Sequence, residues 1–575
     1  MPGLYADTRT EDIRVLIDVS GSMKKTDPSN LRIPAMKLLN GLIPNGSKAG
    51  VWTFARYVDM TVKWGSVGDN WRKIADEGAD KIHSNGLFTN IESALARSIA
   101  GWEKPDPATQ RSIILLTDGQ VDISKDPVKN QQSRAVIFDK TIPLLNQYGV
   151  KVHAIALSGN TDEVLLKRLA LETGGSFEVA ESSRKLQKVF VKMFERATAP
   201  DTVVITGSKF TIDSSVQEMT LLIFREPGSN PTVLHAPDSQ LIKQSKPGLA
   251  IWRSDGDYDL ISITRPKPGI WNIEAKMDPD NRLMVVTDLK LEVSELPTYL
   301  IPAQALNINA RLFDKGKPIT KNSFLRFVDF KVTQKLNEEA ESSAELIHSS
   351  DLDKKGQYQH SINAGLNEGS YSFVVSADSR TFNRSKRLDV KVQWPIEVAI
   401  KSAGIAGTYN LEINAREEYL KPETLKPAVT LVAPDGSREE LTPGQDQNRW
   451  KIKIETRQDG LYQALIRFDA ETVKGENLSL DTGAYSFQGV FRELPVDKLV
   501  EVAQAVDTKT QEKSTANSPV PQKESKLDDP NWVLISIVVG VSNLLIFLIV
   551  ATVVIVIRKR TRATELFLHN ELSDD

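Results

Sequence analysis

The sequence predicts a doubly wound α/β domain, then a row of all-β sandwiches, then a single C-terminal transmembrane helix. Three observations carry this. Apolar, β-branched runs alternate with helical stretches from residue 12 to about residue 198. After Pro200 the texture changes to short alternating strands with Gly, Pro and Asp turns, and one glycine–aromatic station recurs at domain-length intervals. From Trp532 to Ile557 there are 26 residues without a charge.

In the first region, Val15–Ile17 reads as a buried strand and Pro34–Leu42 as a helix. Ala49–Phe54 and Val58–Val62 read as a hairpin. Ile91, Leu95, Ile99 and Trp102 repeat at helical spacing. Ile113–Leu116 and Val152–Leu157 are two further buried strands, with helix over Glu163–Leu171, a short strand at Phe177–Val179 and a closing helix over Ser183–Ala197. Strands separated by helices predict a mostly parallel sheet with helices on both faces.

The β region carries its own period. Gly269-Ile-Trp271-Asn-Ile273, Gly369-Ser-Tyr371-Ser-Phe373 and Gly460-Leu-Tyr462-Gln-Ala464 share one pattern. Ala236-Pro237-Asp238 and Ala433-Pro434-Asp435 repeat a turn cue upstream of the first and third. Repetition of this length with strand texture predicts three tandem immunoglobulin-like sandwiches, at 201–298, 299–392 and 393–497. Asp255 and Asp257 read as turn formers, because no cluster at calcium-ligand spacing surrounds them.

Residues 498–530 are rich in Lys, Glu, Gln, Ser and Pro and read as a flexible linker. As a helix, the run 532–557 rises about 39 Å, enough to cross a hydrocarbon core of about 30 Å with tilt. Arg558, Lys559, Arg560 and Arg562 follow it directly, whereas Lys523 and Lys526 before it are mixed with Glu524, Asp528 and Asp529. The positive-inside bias assigns 558–575 to the cytoplasm and the domains to the outside of a cell (inner) membrane. Export needs a signal, and the first residues have neither a basic nor an apolar segment. The expectation is therefore a leader remnant at 1–11 with a true start upstream, and an α/β domain at 12–198; the alternative is that 532–557 is a tail anchor with the domains in the cytoplasm.

Composition narrows the chemistry. A net charge of −3 gives no basic footprint, so no nucleic-acid partner is expected. The chain has no cysteine, which excludes disulfides, thiol catalysis and thiolate metal sites. The six histidines are scattered and none pairs at metal-ligand spacing.

One constellation remains. The first strand ends in Asp18-x-Ser20-x-Ser22, which puts a carboxylate and two hydroxyls on the loop where an open α/β sheet places its ligand. Thr89 stands at a loop-to-helix junction, where a helix cap would also suit it. Asp118 follows another buried strand, in a Thr-Asp-Gly that is also a turn signal. Hard oxygen donors of this kind suit Mg²⁺ or Mn²⁺.

Together, Asp-x-Ser-x-Ser, Gly86-x-x-Thr89-x-Ile91-x-x-Ala94-Leu95 and Thr117-Asp118-Gly119 resemble the von Willebrand factor A domain and its metal-ion-dependent adhesion site, over residues 12–198. The resemblance implies that Asp18, Ser20, Ser22, Thr89 and Asp118 hold the ion, and that an Asp or Glu of a protein partner completes its coordination. The flanking text is similar to proteobacterial membrane proteins with an A domain and a C-terminal span.

The expectation is thus a membrane-anchored adhesion or binding protein, held in the bilayer by 532–557, with no small-molecule substrate. The alternative is a scaffold subunit of a bacterial envelope complex. Catalysis is not expected. Ser20 stands where a phosphatase of the haloacid dehalogenase type needs a second carboxylate, and the Ser22-x-x-Lys25 pattern lacks the Lys-Thr-Gly of penicillin-binding proteins.

Overall fold

The computed structural model describes residues 10–490, apart from 158–160, 181, 227, 256, 303, 338–341, 346, 349–355, 363–365 and 447. The predicted linker at 498–530, span at 532–557 and tail at 558–575, and most of the leader, lie outside the described residues. Among the described residues no helix is long and apolar enough to cross a membrane.

The head is a six-stranded sheet: β1 (Thr10–Asp18), β2 (Lys48–Phe54), β3 (Val58–Ser66), β4 (Thr109–Thr117), β5 (Val150–Ala156) and β6 (Phe177–Val179). Its order is β3-β2-β1-β4-β5-β6. All neighbours are parallel except the β2–β3 hairpin. The helices are α1 (Met23–Thr26), α2 (Arg32–Leu42), α3 (Asp69–Ala79), α4 (Ile91–Ser98), α5 (Pro127–Val136), α6 (Ile142–Gln147), α7 (Glu163–Thr173) and α8 (Ser183–Thr198). A π-helical turn, Ile137–Thr141, joins α5 to α6.

β1 reads as one apolar run because both its faces are buried. Ile13, Val15 and Ile17 pack with residues of α2, α3 and α8, and Leu16 packs with α4, α6 and α7 on the other face. Four helices were not foreseen from the sequence: α1 and α6, only four and six residues long, and the longer α3 and α5. α5 buries only Ser133 and so has no apolar face, whereas α3 buries one face made of Trp71, Arg72, Ala75, Gly78 and Ala79, in which a cation and a glycine stand among the apolar positions.

Three further apolar cores follow, within residues 203–285, 289–392 and 396–470. The recurring glycines each open a strand, at Gly269, Gly369 and Gly460, with φ of +134°, +154° and +142°. A Cβ on Gly269 would stand 2.8 Å from Pro237, and one on Gly460 would stand 2.6 Å from Pro434. The Ala-Pro-Asp turn and the downstream glycine are therefore two halves of one contact. Each places its aromatic (Trp271, Tyr371, Tyr462) in the core.

The β modules are not beads on a string. Strand 289–293 pairs with 306–314 in the second core. The two-residue strand Asp201–Thr202 pairs with 282–287 on one side and 383–392 on the other, fusing the first two modules into one ten-stranded sheet. The fully buried Arg384 locks that seam, donating to Asp213 at 2.7 Å and to Ser215 and Thr287 at 2.9 Å. The head shares its core with the first module, since Leu222, Phe224, Tyr258, Leu260 and Met284 belong to the cluster that contains Leu39 and Phe190. Gly41 of α2 lies so close to Leu260 that a Cβ there would stand 2.4 Å away. Arg282–Glu195 and Arg253–Asp76 pair across the same contact, at 2.7 and 2.8 Å.

Candidate metal centre

After β1 the chain turns to β2 on one side, and β4 later fills the other. The carboxyl ends of β1 and β4 therefore flank the point where strand order reverses, the usual ligand crevice of an open α/β sheet. Ile17 lies opposite Leu116 in the β1–β4 pair, so Asp18 and Asp118 leave the sheet at the same edge.

Each predicted residue is placed there by a local device. The Ser20 N–H donates to Asp18 Oδ1 at 2.8 Å and folds the chain back on itself. Ser20 Oγ and Ser22 Oγ are 2.9 Å apart, and the Ser22 hydroxyl donates to Asp118 Oδ1 at 2.8 Å. Asp18, Ser20 and Asp118 are buried, while Ser22 is exposed at the mouth. Four of the five residues thus form one hydrogen-bonded chain.

Thr89 arrives on a third loop. Its N–H donates to the Asp122 carbonyl at 2.6 Å, Gly86 N–H donates to the Val19 carbonyl at 2.9 Å, and Ser20 and Gly86 form a parallel bridge. A Cβ on Gly119 would stand 3.2 Å from Thr89 Oγ1, so the hydroxyl lies against the Asp118 loop. The helix-cap reading of Thr89 does not hold. Asn90 caps α4, accepting from the Ser93 N–H at 3.0 Å. Ser22 precedes α1 and likewise makes no side-chain cap.

Three contributors went unassigned in the sequence. Thr117 donates to Asp18 Oδ2 at 2.6 Å, and Thr26 donates to Asp118 Oδ2. Arg32, fully buried, donates to the Asp18 carbonyl at 2.6 Å, Asp27 Oδ2 at 2.7 Å, Asn30 Oδ1 at 2.8 Å and Ser84 Oγ at 2.7 Å. It ties the Asp18 loop to the segment leading into Gly86 and Thr89. The only sequence signal for it is a cation inside the apolar text Leu31-Arg32-Ile33.

The electrostatics fit a cation. Burial pushes the Asp18 carboxyl up to about 6, hydrogen bonds from Thr117 and Ser20 pull it back, and the neighbouring Asp118 charge adds to the rise. A divalent ion would offset that repulsion and favour both carboxylates ionised. No group of three or more His, Asp or Glu that could hold a metal occurs among the described residues. The donor set here is mixed instead, two carboxylates with three hydroxyls, and its all-oxygen chemistry suits a hard ion.

Residues 12–192 match the family model described as von Willebrand factor type A domain. No curated protein matches the chain significantly. Among solved structures, a von Willebrand factor type A protein from Catenulispora acidiphila is 14% identical, over 54% of this chain and 64% of that one, with a TM-score of 0.28. Proximal thread matrix protein 1 from the mussel byssus, with a zinc-occupied MIDAS motif, is 20% identical, over 35% and 50%, with a TM-score of 0.26. An aerotolerance-related membrane protein from Bacteroides fragilis is 18% identical, over 32% and 98%, with a TM-score of 0.23. This chain thus spans less than two thirds of the first two. The family model, the strand order and the helices on both faces agree, and the N-terminal α/β unit of this chain is a von Willebrand factor type A domain.

Proposed function

We propose that this chain is a membrane-anchored binding protein whose head joins a protein partner through a divalent ion, Mg²⁺ or Mn²⁺, held by Asp18, Ser20, Ser22, Thr89 and Asp118. The observation that carries the reading is the convergence of three loops at one edge of the sheet, with Asp18, Ser20, Ser22 and Asp118 joined by hydrogen bonds and the Thr89 hydroxyl laid against the Asp118 loop at Gly119. When bound, the ion supplies positive charge and coordination positions that an Asp or Glu of the partner completes. The chain's own residues do the rest. Thr117 and Ser20 orient Asp18, Thr26 and Ser22 orient Asp118, and Arg32 holds the loops in register.

The apolar run 532–557 and the cations after it support an anchor with the head outside the cytoplasm. Protease treatment of intact cells or spheroplasts tests that orientation, and full protection of the head would overturn it. For the binding role, the full chain is used as bait with Mg²⁺ and with EDTA, and captured proteins are identified by mass spectrometry. EDTA and Asp18→Ala should each abolish capture. Partner affinity unaffected by either would sink the reading. Sister envelope proteins in the Mg²⁺-dependent fraction would point to a scaffold, and surface or matrix proteins to adhesion.

A further inference from the structure

Tyr57 and Leu87 are the most exposed large apolar side chains described in the head, at 72% and 69%; Leu87 stands on the Thr89 loop and Tyr57 on a turn tied to that loop. Leu87 and Phe88 lie between Gly86, which bridges to Ser20, and Thr89. Arg56 and Tyr57 form the turn between β2 and β3. That turn is pinned to the Thr89 loop, because Asn90 N–H donates to the Ala55 carbonyl at 3.0 Å, and a Cβ on Gly86 would stand 2.3 Å from Ala55 Cβ. The Arg56 guanidinium lies 5.5 Å from the Phe88 ring centroid and 6.0 Å from that of Tyr57. Phe88 holds a φ of +66°, a left-handed conformation that a bulky residue keeps only where its surroundings fix it, and such strain gathers at functional sites. On the other side of the mouth, Lys24 and Lys25 follow Ser22 and are exposed.

We propose that Arg56, Tyr57, Leu87 and Phe88 form the specificity surface of the head, and that it takes a protein segment whose Asp or Glu is flanked by apolar side chains. The proposal rests on the ion-and-carboxylate reading above. The charge near the mouth favours an acidic segment: Arg56, Lys24 and Lys25 lie on the loops that carry the site, against one exposed carboxylate, Asp122, bridged to Thr89. The exposed aromatic and aliphatic side chains select what lies beside that acid, since large apolar anchors next to a desolvated polar contact dominate interface energies. A purely polar acidic segment would leave Tyr57 and Leu87 in water.

The test uses the full chain and three short labelled peptides: a Glu flanked by Leu and Phe, a Glu flanked by Ser and Gly, and a Gln flanked by Leu and Phe. In Mg²⁺ the apolar-flanked Glu peptide should bind about tenfold more tightly than the polar-flanked one, with the Gln peptide weaker still. Leu87→Ser with Tyr57→Ser should bring the two Glu peptides to within about twofold of each other. Both side chains stand in solvent, so the double variant should fold, which circular dichroism checks. Mg²⁺-dependent, Glu-dependent binding with no preference for flanks would overturn this proposal and leave the ion reading intact. Equal binding of Glu and Gln peptides in EDTA would overturn both. Absence of any peptide binding, while calorimetry shows Mg²⁺ uptake that Asp18→Ala removes, would overturn the specificity surface alone. Capture by phosphatidylglycerol vesicles that survives EDTA and is lost in Leu87→Ser would also overturn it, in favour of a lipid surface.

Discussion

Asp12 and Asp18 stand near the two ends of β1, both buried, and are satisfied in opposite ways. At the amino end, Asp12 accepts from the indole N–H of Trp64 at 3.0 Å and of Trp102 at 2.8 Å, with the Arg14 guanidinium 3.4 Å away. Arg14 in turn lies 3.5 Å from the Trp102 ring centroid, and burial lowers its own pKa. Charge meets charge, aromatic faces cover the pair, and the assembly is closed. At the carboxyl end, Asp18 has only neutral side-chain and backbone donors among the described residues, with Asp118 as its charged neighbour. The nearby cation, Arg32, spends its hydrogen bonds on the Asp18 carbonyl, Asp27, Asn30 and Ser84. One strand therefore carries a structural carboxylate at one end and an uncompensated one at the other. An ion held as proposed above would compensate that second carboxylate.

Breaking the closed end should cost the most. Asp12→Ala leaves Arg14 buried without its counter-charge and should remove about 3–5 kcal/mol of stability, measured by urea denaturation. A loss under about 1 kcal/mol would mean that the Ser98 and Ala100 carbonyls and the Trp102 ring suffice for the buried Arg14. Next comes the loop that brings Thr89 in. Gly86→Ala puts a methyl 2.3 Å from Ala55 Cβ and 2.8 Å from the Val19 carbonyl oxygen. It should cost about 1–3 kcal/mol and weaken Mg²⁺ uptake in calorimetry.

At the open end the pattern should invert. Asp18→Asn should abolish Mg²⁺ uptake yet change ion-free stability by no more than about 1–2 kcal/mol, because it removes a repulsion along with an acceptor. A loss as large as that of Asp12→Ala would erase the contrast. A separate, pH-dependent effect belongs to Glu11, beside Asp12, whose carboxyl burial pushes up to about 7 against the pull of Ser47, Lys386 and Lys290. Its folded-state pKa is raised, so its contribution is fully present below the unfolded value of 4.5 and is lost as pH rises through about 7. Thermal melts should therefore show this part of the stability falling across that window, and Glu11→Gln should flatten the slope.

The sequence by itself determined the head's strands, the parallel sheet and the spacing of the β stations, because buried strands and repeated turns write themselves as local apolar runs and glycines. It also offered Asp18, Ser20, Ser22, Thr89 and Asp118 as candidates, through the resemblance of three short motifs taken together to a known family. Only the tertiary structure decided which of them cap helices. Thr89 is relieved of capping by Asn90, and Ser22 turns to Asp118 rather than to its own helix. Only the tertiary structure, too, showed Arg32 behind the loops, Asp12 closed by residues fifty to ninety positions away, and the first two β modules fused through Asp201–Thr202. These contacts join distant segments through single side chains or a pair of residues. They leave no periodicity for the sequence to carry.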